Sequence, residues 1–269
     1  MDNRAVGIFD SGLGGLTTVK ELRRLLPNEQ IIYFGDNGRV PYGNRGRETI
    51  RKYAMQDIQL LLRHDVKLVV AACGTVSSMM TPEMKDSIGL PYSGVVLPSA
   101  QAACAATSNE KIGIIGTTAT VRSGSYARAI HAILPEAHVF GNACPLFVPL
   151  VENGFIQPDN EITRKVAELY LQPMIEAKVD TLILGCTHYP IIYDIINQVL
   201  DYKVTLIDPG RQVAKWAQSY LTSHNLLREE EGTCKFYVTD SPDVFSDTAT
   251  IFLGNDIQGD VEQIDIDSL

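Results

Sequence analysis

Lys67-Leu68-Val69-Val70-Ala71-Ala72-Cys73-Gly74-Thr75 is a short apolar run that ends in a cysteine and, two positions on, a hydroxyl residue. It has a counterpart in Thr181-Leu182-Ile183-Leu184-Gly185-Cys186-Thr187-His188-Tyr189-Pro190, where a cysteine again leaves a buried-type strand ahead of a helical pattern. A second pair also matches. Gly7-Ile8-Phe9 opens into Asp10-Ser11-Gly12, and Gly113-Ile114-Ile115 opens into Gly116-Thr117-Thr118. The period of this degenerate repeat is too long for a solenoid. Two similar α/β lobes facing each other are the economical reading.

Working outward, β-branched runs at 5–9, 31–34, 67–71, 93–96, 111–115, 138–140, 181–184 and 204–207 alternate with helical patterns at 17–26, 47–64, 161–177 and 189–200. Strand, helix, strand is the rhythm of parallel sheets, which bind ligands beyond the carboxyl ends of their strands. A lobe boundary is expected near Leu97-Pro98, where a strand meets a proline and an alanine-rich helix starts at Ser99. A return near Asp208-Pro209 would give a first lobe of residues 1–97 plus 208–269 and a second of 98–207, with the site in the cleft between them.

Composition restricts the function. The 269 residues carry Lys+Arg 23 against Asp+Glu 32, a net charge of −9, which argues against a basic surface for nucleic acid or anionic lipid. No apolar run is long enough to span a bilayer, and Asp2 and Arg4 lead straight into a short strand rather than an export signal, so a cytoplasmic protein is expected. Five cysteines, Cys73, Cys104, Cys144, Cys186 and Cys234, form no Cys-x-x-Cys pair, which fits neither a disulfide framework nor a zinc ribbon. Residues 254–269 hold five acids and no base and are expected to be a solvated, frayed tail; Arg228-Glu229-Glu230-Glu231 reads as an exposed loop or helix end.

Chemistry is sought just after the strands. Asp10-Ser11-Gly12-Leu13-Gly14-Gly15 lets backbone approach a ligand and aims a helix N-terminus at an anion, although a tight turn with Asp10 or Ser11 as helix cap explains it equally well. It is not a dinucleotide fingerprint, because Thr17 stands where the third glycine belongs. A strand-end cysteine is more often packing than chemistry, but two in matched contexts, Cys73 and Cys186, reverse that weighting. A helix N-terminus can lower such a thiol from about 8.5 toward neutrality. His188 stands ready to tune Cys186 or simply to cap a helix; with Cys186 it offers only two ligands, too few for zinc. Asp36, followed by Pro41-Tyr42-Gly43, is a site acid or a turn residue. Glu152, an acid among apolar residues, is expected to be partly buried and to need a partner.

Together, Gly7-Ile8-Phe9-Asp10-Ser11-Gly12-Leu13-Gly14-Gly15-Leu16, Gly35-Asp36 with Pro41-Tyr42-Gly43, Ala72-Cys73 with Thr75, and Leu184-Gly185-Cys186-Thr187-His188-Tyr189-Pro190 resemble the bacterial glutamate racemases. The resemblance implies two flavodoxin-like lobes with parallel sheets, no cofactor, no metal, a homodimer, and a supply of D-glutamate for peptidoglycan. It makes Cys73 and Cys186 opposed bases, sets Asp10 by Cys73 and His188 by Cys186, and adds Asp36 and Glu152 as acidic contributors. Ser11, Pro41, Tyr42, Gly43, Gly74, Thr75, Thr117, Thr120 and Thr187, with Asp10, would surround the substrate. Two departures stand out: Gly74 where such proteins usually have a substrate-binding asparagine, and Asn37-Gly38 where threonine and alanine are more usual. A lost hydrogen bond to a charged group costs about 1.5–3 kcal/mol, or roughly ten- to a hundredfold in binding or turnover, unless the loop compensates.

Two thiols suit this chemistry. Inverting a carbon that bears hydrogen requires taking a proton from one face and returning one to the other, which a single base cannot do. Aspartate racemase or another cysteine-dependent isomerase on the same scaffold is the alternative. A thiol hydrolase using Cys186, His188 and an acid would leave Cys73 without a task, and a weakened small-anion binder would explain Gly74.

Overall fold

The computed structural model describes residues 2–254, 257 and 259–265. Among the described residues ten strands, β1 (Val6–Asp10), β2 (Ile31–Gly35), β3 (Leu68–Ala71), β4 (Tyr92–Gly94), β5 (Lys111–Gly116), β6 (His138–Ala143), β7 (Thr181–Gly185), β8 (Thr205–Ile207), β9 (Cys234–Val238) and β10 (Asp260–Gln263), form two sheets. The larger runs β10-β9-β2-β1-β3-β4 and the smaller β6-β5-β7-β8, and every pairing is parallel. Helices cover both faces of such sheets, which is why β1, β2, β3 and β7 are buried throughout and read as unbroken apolar runs rather than alternating ones.

The internal match is topological. The order β2-β1-β3-β4 in one sheet repeats as β6-β5-β7-β8 in the other, so β3, which leads to Cys73, and β7, which leads to Cys186, hold the same place. The chain crosses between sheets through the helices Val96–Ala106 and Pro209–Ser223, which pack on each other. The second also lies along the helix Leu16–Leu25 and starts where Asp208 caps it, Oδ1 accepting from the Gly210 N–H at 2.9 Å, with Pro209 in the first turn. The largest apolar core is continuous through both halves, joining Val6, Ile8, Tyr33 and Leu68 to Ile115, Leu184 and Val213.

Several expectations are corrected. The helix expected from Ser99 starts at Val96, and Pro98 lies within its first turn, where no helical partner for a backbone N–H is needed. The pattern at 189–200 divides into a 3-10 turn, Tyr189–Ile192, with Pro190 at its start, and a helix, Tyr193–Val199. The tail is not simply solvated: residues 260–263 add β10 to the sheet edge beside β9, while the acids Asp256 and Asp267 lie outside the described residues. The helix Pro242–Leu253 was not anticipated and buries Phe245, Ala249 and Phe252. Arg228 does lie in an irregular stretch, its N–H donating to Glu29 Oε1 at 2.8 Å. Among the described residues, no helix is long and apolar enough to cross a membrane.

Candidate active site

The loops after β1, β3, β5 and β7 converge on one cavity of about 390 Å³ between the sheets. Cys73 and Cys186, both buried, line it together with Ser11, Tyr42, Gly43, Gly74, Thr75, Thr117, Thr187, His188 and Glu152. Pro41 also lies on its wall. Three expected residues lie off the lining: Asp10, Asp36 and Thr120.

Each of these three has a structural reason for its place. Asp10 is buried, and its Oδ2 accepts the Gly12 N–H at 3.0 Å, folding the glycine loop over the end of β1. Burial raises its carboxyl above the usual range, against the pull of His188 and the loop N–H groups. Asp36 is fully buried and accepts from Arg39 Nε at 2.6 Å, from Thr239 Oγ1 at 2.9 Å and from the Tyr42 hydroxyl. It thus holds the loop bearing Tyr42 rather than facing the cavity. Thr120 joins a hydroxyl cluster, with Thr117 Oγ1 lying 2.9 Å from Thr75 Oγ1 and 3.0 Å from Thr120 Oγ1, that bridges the two halves beneath the wall.

The surroundings of the two sulfurs differ. Cys73 caps the short helix Gly74–Ser77, accepting from the Val76 N–H at 3.5 Å, and its Sγ lies 3.5 Å from Ser11 Oγ, to which it donates as a thiol. The expected lowering of this thiol toward neutrality is overturned: burial and the Asp10 carboxylate push it up to about 12, outweighing the Ser11 and Val76 hydrogen bonds. Cys186 Sγ lies 3.8 Å from His188 Nδ1, while His188 Nε2 meets Glu152 Oε1 at 2.9 Å. Burial opposes charging the imidazole, but the hydrogen bonds to Cys186 and Glu152 prevail and push it up to about 10. Glu152 itself, with its side chain 42% exposed, is more open than its apolar neighbours suggested.

Close backbone approach sets the cavity's dimensions. A Cβ on Gly74 would stand 2.3 Å from the Gly185 carbonyl oxygen, and one on Gly14 would stand 2.0 Å from Thr187 Oγ1. The asparagine expected at position 74 has no room here, and its absence lets the loops carrying the two cysteines meet. Gly12, Leu13, Val40, Asn44, Thr118, Pro145, Val148 and Pro149 complete the lining and carry no site role in the sequence reading. Gly12, Leu13 and Thr118 stand inside the quoted strand-end motifs, whereas Pro145 has no motif beside it. Phe252 of the unanticipated helix packs edge-on against the His188 ring, centroids 5.2 Å apart. Among the described residues no three His, Cys, Asp or Glu side chains gather as a metal site, and no Arg or Lys lines the cavity.

The fold is thus a duplicated parallel-sheet protein with a thiol at the same strand end in each half, both lining one cavity. Residues 16–217 match the Asp/Glu/hydantoin racemase family, and the chain belongs to it. It is 42% identical over 267 residues to the glutamate racemase of Geobacter metallireducens, covering 98% of each chain. It is 44% identical over 269 residues to that of Streptococcus gordonii, covering 99% of this chain and 100% of the relative. The crystal structure of the Francisella tularensis glutamate racemase in complex with D-glutamate superposes with a TM-score of 0.92 at 39% identity, covering 100% of both chains.

Proposed function

We propose that this chain is a cofactor-independent glutamate racemase that interconverts L- and D-glutamate by proton transfer at Cα between Cys73 and Cys186, supplying D-glutamate for peptidoglycan. The observation that carries the reading is the pair of equivalent strand-end thiols on one cavity. In one direction a thiolate removes the Cα proton while the opposite thiol returns one, and the roles exchange in reverse. Negative charge develops next to the substrate carboxylate. With no Arg or Lys on the wall, the hydroxyls of Ser11, Thr75, Thr117 and Thr187 and the loop N–H groups are the donors available to hold it. A preorganised donor of this kind is worth about 2.7–4 kcal/mol. His188, braced by Glu152, serves the Cys186 side as a proton relay; Asp10 lies on the Cys73 side. The reading also carries a cytoplasmic location and a homodimer, the latter open to sedimentation analysis.

The test is elimination from each enantiomer of a glutamate analogue with a β-leaving group. By resemblance Cys73 serves D-glutamate and Cys186 L-glutamate. Cys73→Ser should therefore retain elimination only from the L-analogue, and Cys186→Ser only from the D-analogue, with racemisation of glutamate lost in both. Equal loss from both enantiomers in both variants, or full retention, would refute the two-base assignment.

A further inference from the structure

The wall formed by Gly43, Asn44 and Thr118 has a second cavity behind it, about 300 Å³, lined also by Arg45, Arg47 and Arg122. Arg45 and Arg47 flank Gly46 at the start of the 17-residue helix Arg47–Arg63, in the half built on the larger sheet, whereas Arg122 lies on the helix Thr118–Ser123 of the other half. Among the described residues these guanidiniums have no ion-pair partner and no carboxylate lines the cavity; the neighbouring Glu48 is engaged by Arg51 at 3.1 Å. The helix start adds to the field. Gly46 supplies no side-chain cap, and a Cβ there would meet nothing within 4 Å, so open space lies beside it.

In a chain of net charge −9, three cations gathered on one cavity repel each other, and an anion relieves that repulsion. Guanidinium forks bind oxyanions bidentately, and an uncapped helix N-terminus adds N–H donors and a positive dipole end. We propose that this cavity is a second anion site that takes a doubly charged tetrahedral oxyanion of the phosphate class, gripped by Arg45 and Arg47 from one half and Arg122 from the other. A planar, singly charged carboxylate would occupy one fork and leave two cations unmatched, which is why the phosphate class is favoured. Occupancy ties the halves together across the wall shared with the substrate cavity.

The full chain is titrated with inorganic phosphate against sodium chloride at matched ionic strength, and binding is read by calorimetry and by the melting temperature. Neither readout depends on the racemase assignment. Saturable stabilisation by phosphate over chloride is expected, weakened tenfold or more in Arg122→Gln and in Arg45→Gln/Arg47→Gln, and less in Arg122→Lys. All three side chains are exposed, and circular dichroism checks that the variants fold. Methyl phosphate distinguishes the sources: binding within a few-fold of inorganic phosphate supports a phosphoryl group on a larger molecule, and no binding supports free phosphate. Phosphate acting no better than chloride, or binding equally well to the arginine variants, would overturn the proposal.

Discussion

A Cβ on Gly74 would lie 2.3 Å from a backbone oxygen, that of Gly185, which cannot swing aside as a side chain does. Gly74→Ala must therefore push apart the loops that carry Cys73 and Cys186. Overpacking of this kind costs about 1–3 kcal/mol of stability; because displacing reacting groups by about 1 Å can cost about a hundredfold, a fall of about tenfold or more in kcat/KM is expected with it, and denaturant unfolding and racemase assays check both. His188 makes a second prediction. Its imidazole lies near 6.5 in the unfolded chain and is pushed up to about 10 when folded. A raised basic group contributes stability that is complete below pH 6.5 and fades as the pH climbs toward 10. Glu152→Gln removes one of the two groups responsible, so the His188 titration followed by NMR should fall by about one pH unit, the lower end for a hydrogen bond to a charged group because Glu152 is 42% exposed. The decline in melting temperature over that pH window should become shallower. At this scale Cys73, Cys186 and His188 were legible from residue type and position. The direction of the Cys73 shift was not, because Asp10 and the surrounding burial reach it only through the fold.

Between residue and fold stands the segment from Asp36 to Asn44. Arg39 bonds Asp36 through Nε at 2.6 Å and Asp57 through Nη2 at 3.0 Å, and lies over the Tyr53 ring at 4.2 Å. Burial and the neighbouring Asp36 raise the Asp57 carboxyl well above the usual range, opposed by Arg39. Because Tyr42, which also bonds Asp36, lines the cavity, the cluster acts as a brace for the substrate wall. Arg39→Gln removes the cation that bonds two buried acids, Asp36 and Asp57, and should cost about 3–5 kcal/mol in urea unfolding, with a rise in KM for glutamate as the loop loosens. The sequence showed Asp36 beside turn residues and invited a site role. Asp57, twenty or so positions on within a helical pattern, offered no signal that it would share the same guanidinium. Likewise the helix Pro242–Leu253, which sets Phe252 against His188, lay beyond the last motif.

At the scale of the molecule, the largest apolar core runs through both halves, and the helices Val96–Ala106 and Pro209–Ser223 pack where the chain crosses between them. Halves sharing a core should not unfold separately. A single urea transition is expected, with far-ultraviolet circular dichroism and the fluorescence of Trp216, the one tryptophan, on the helix Pro209–Ser223, tracing the same midpoint. Two resolved transitions would show that the halves are energetically independent.

The βαβ alternation, the parallel sheets and the matched cysteine loops were all readable in the sequence, because strand burial, turn chemistry and strand-end position are local properties that leave a pattern in neighbouring residues. Only the tertiary structure decided that Asp36 and Thr120 brace the site instead of lining it, that β10 is added at the sheet edge beside β9, and that Arg45, Arg47 and Arg122 meet on one cavity. Those outcomes depend on contacts between residues far apart in the chain, whose partners are selected by packing and charge in three dimensions rather than by any spacing along it.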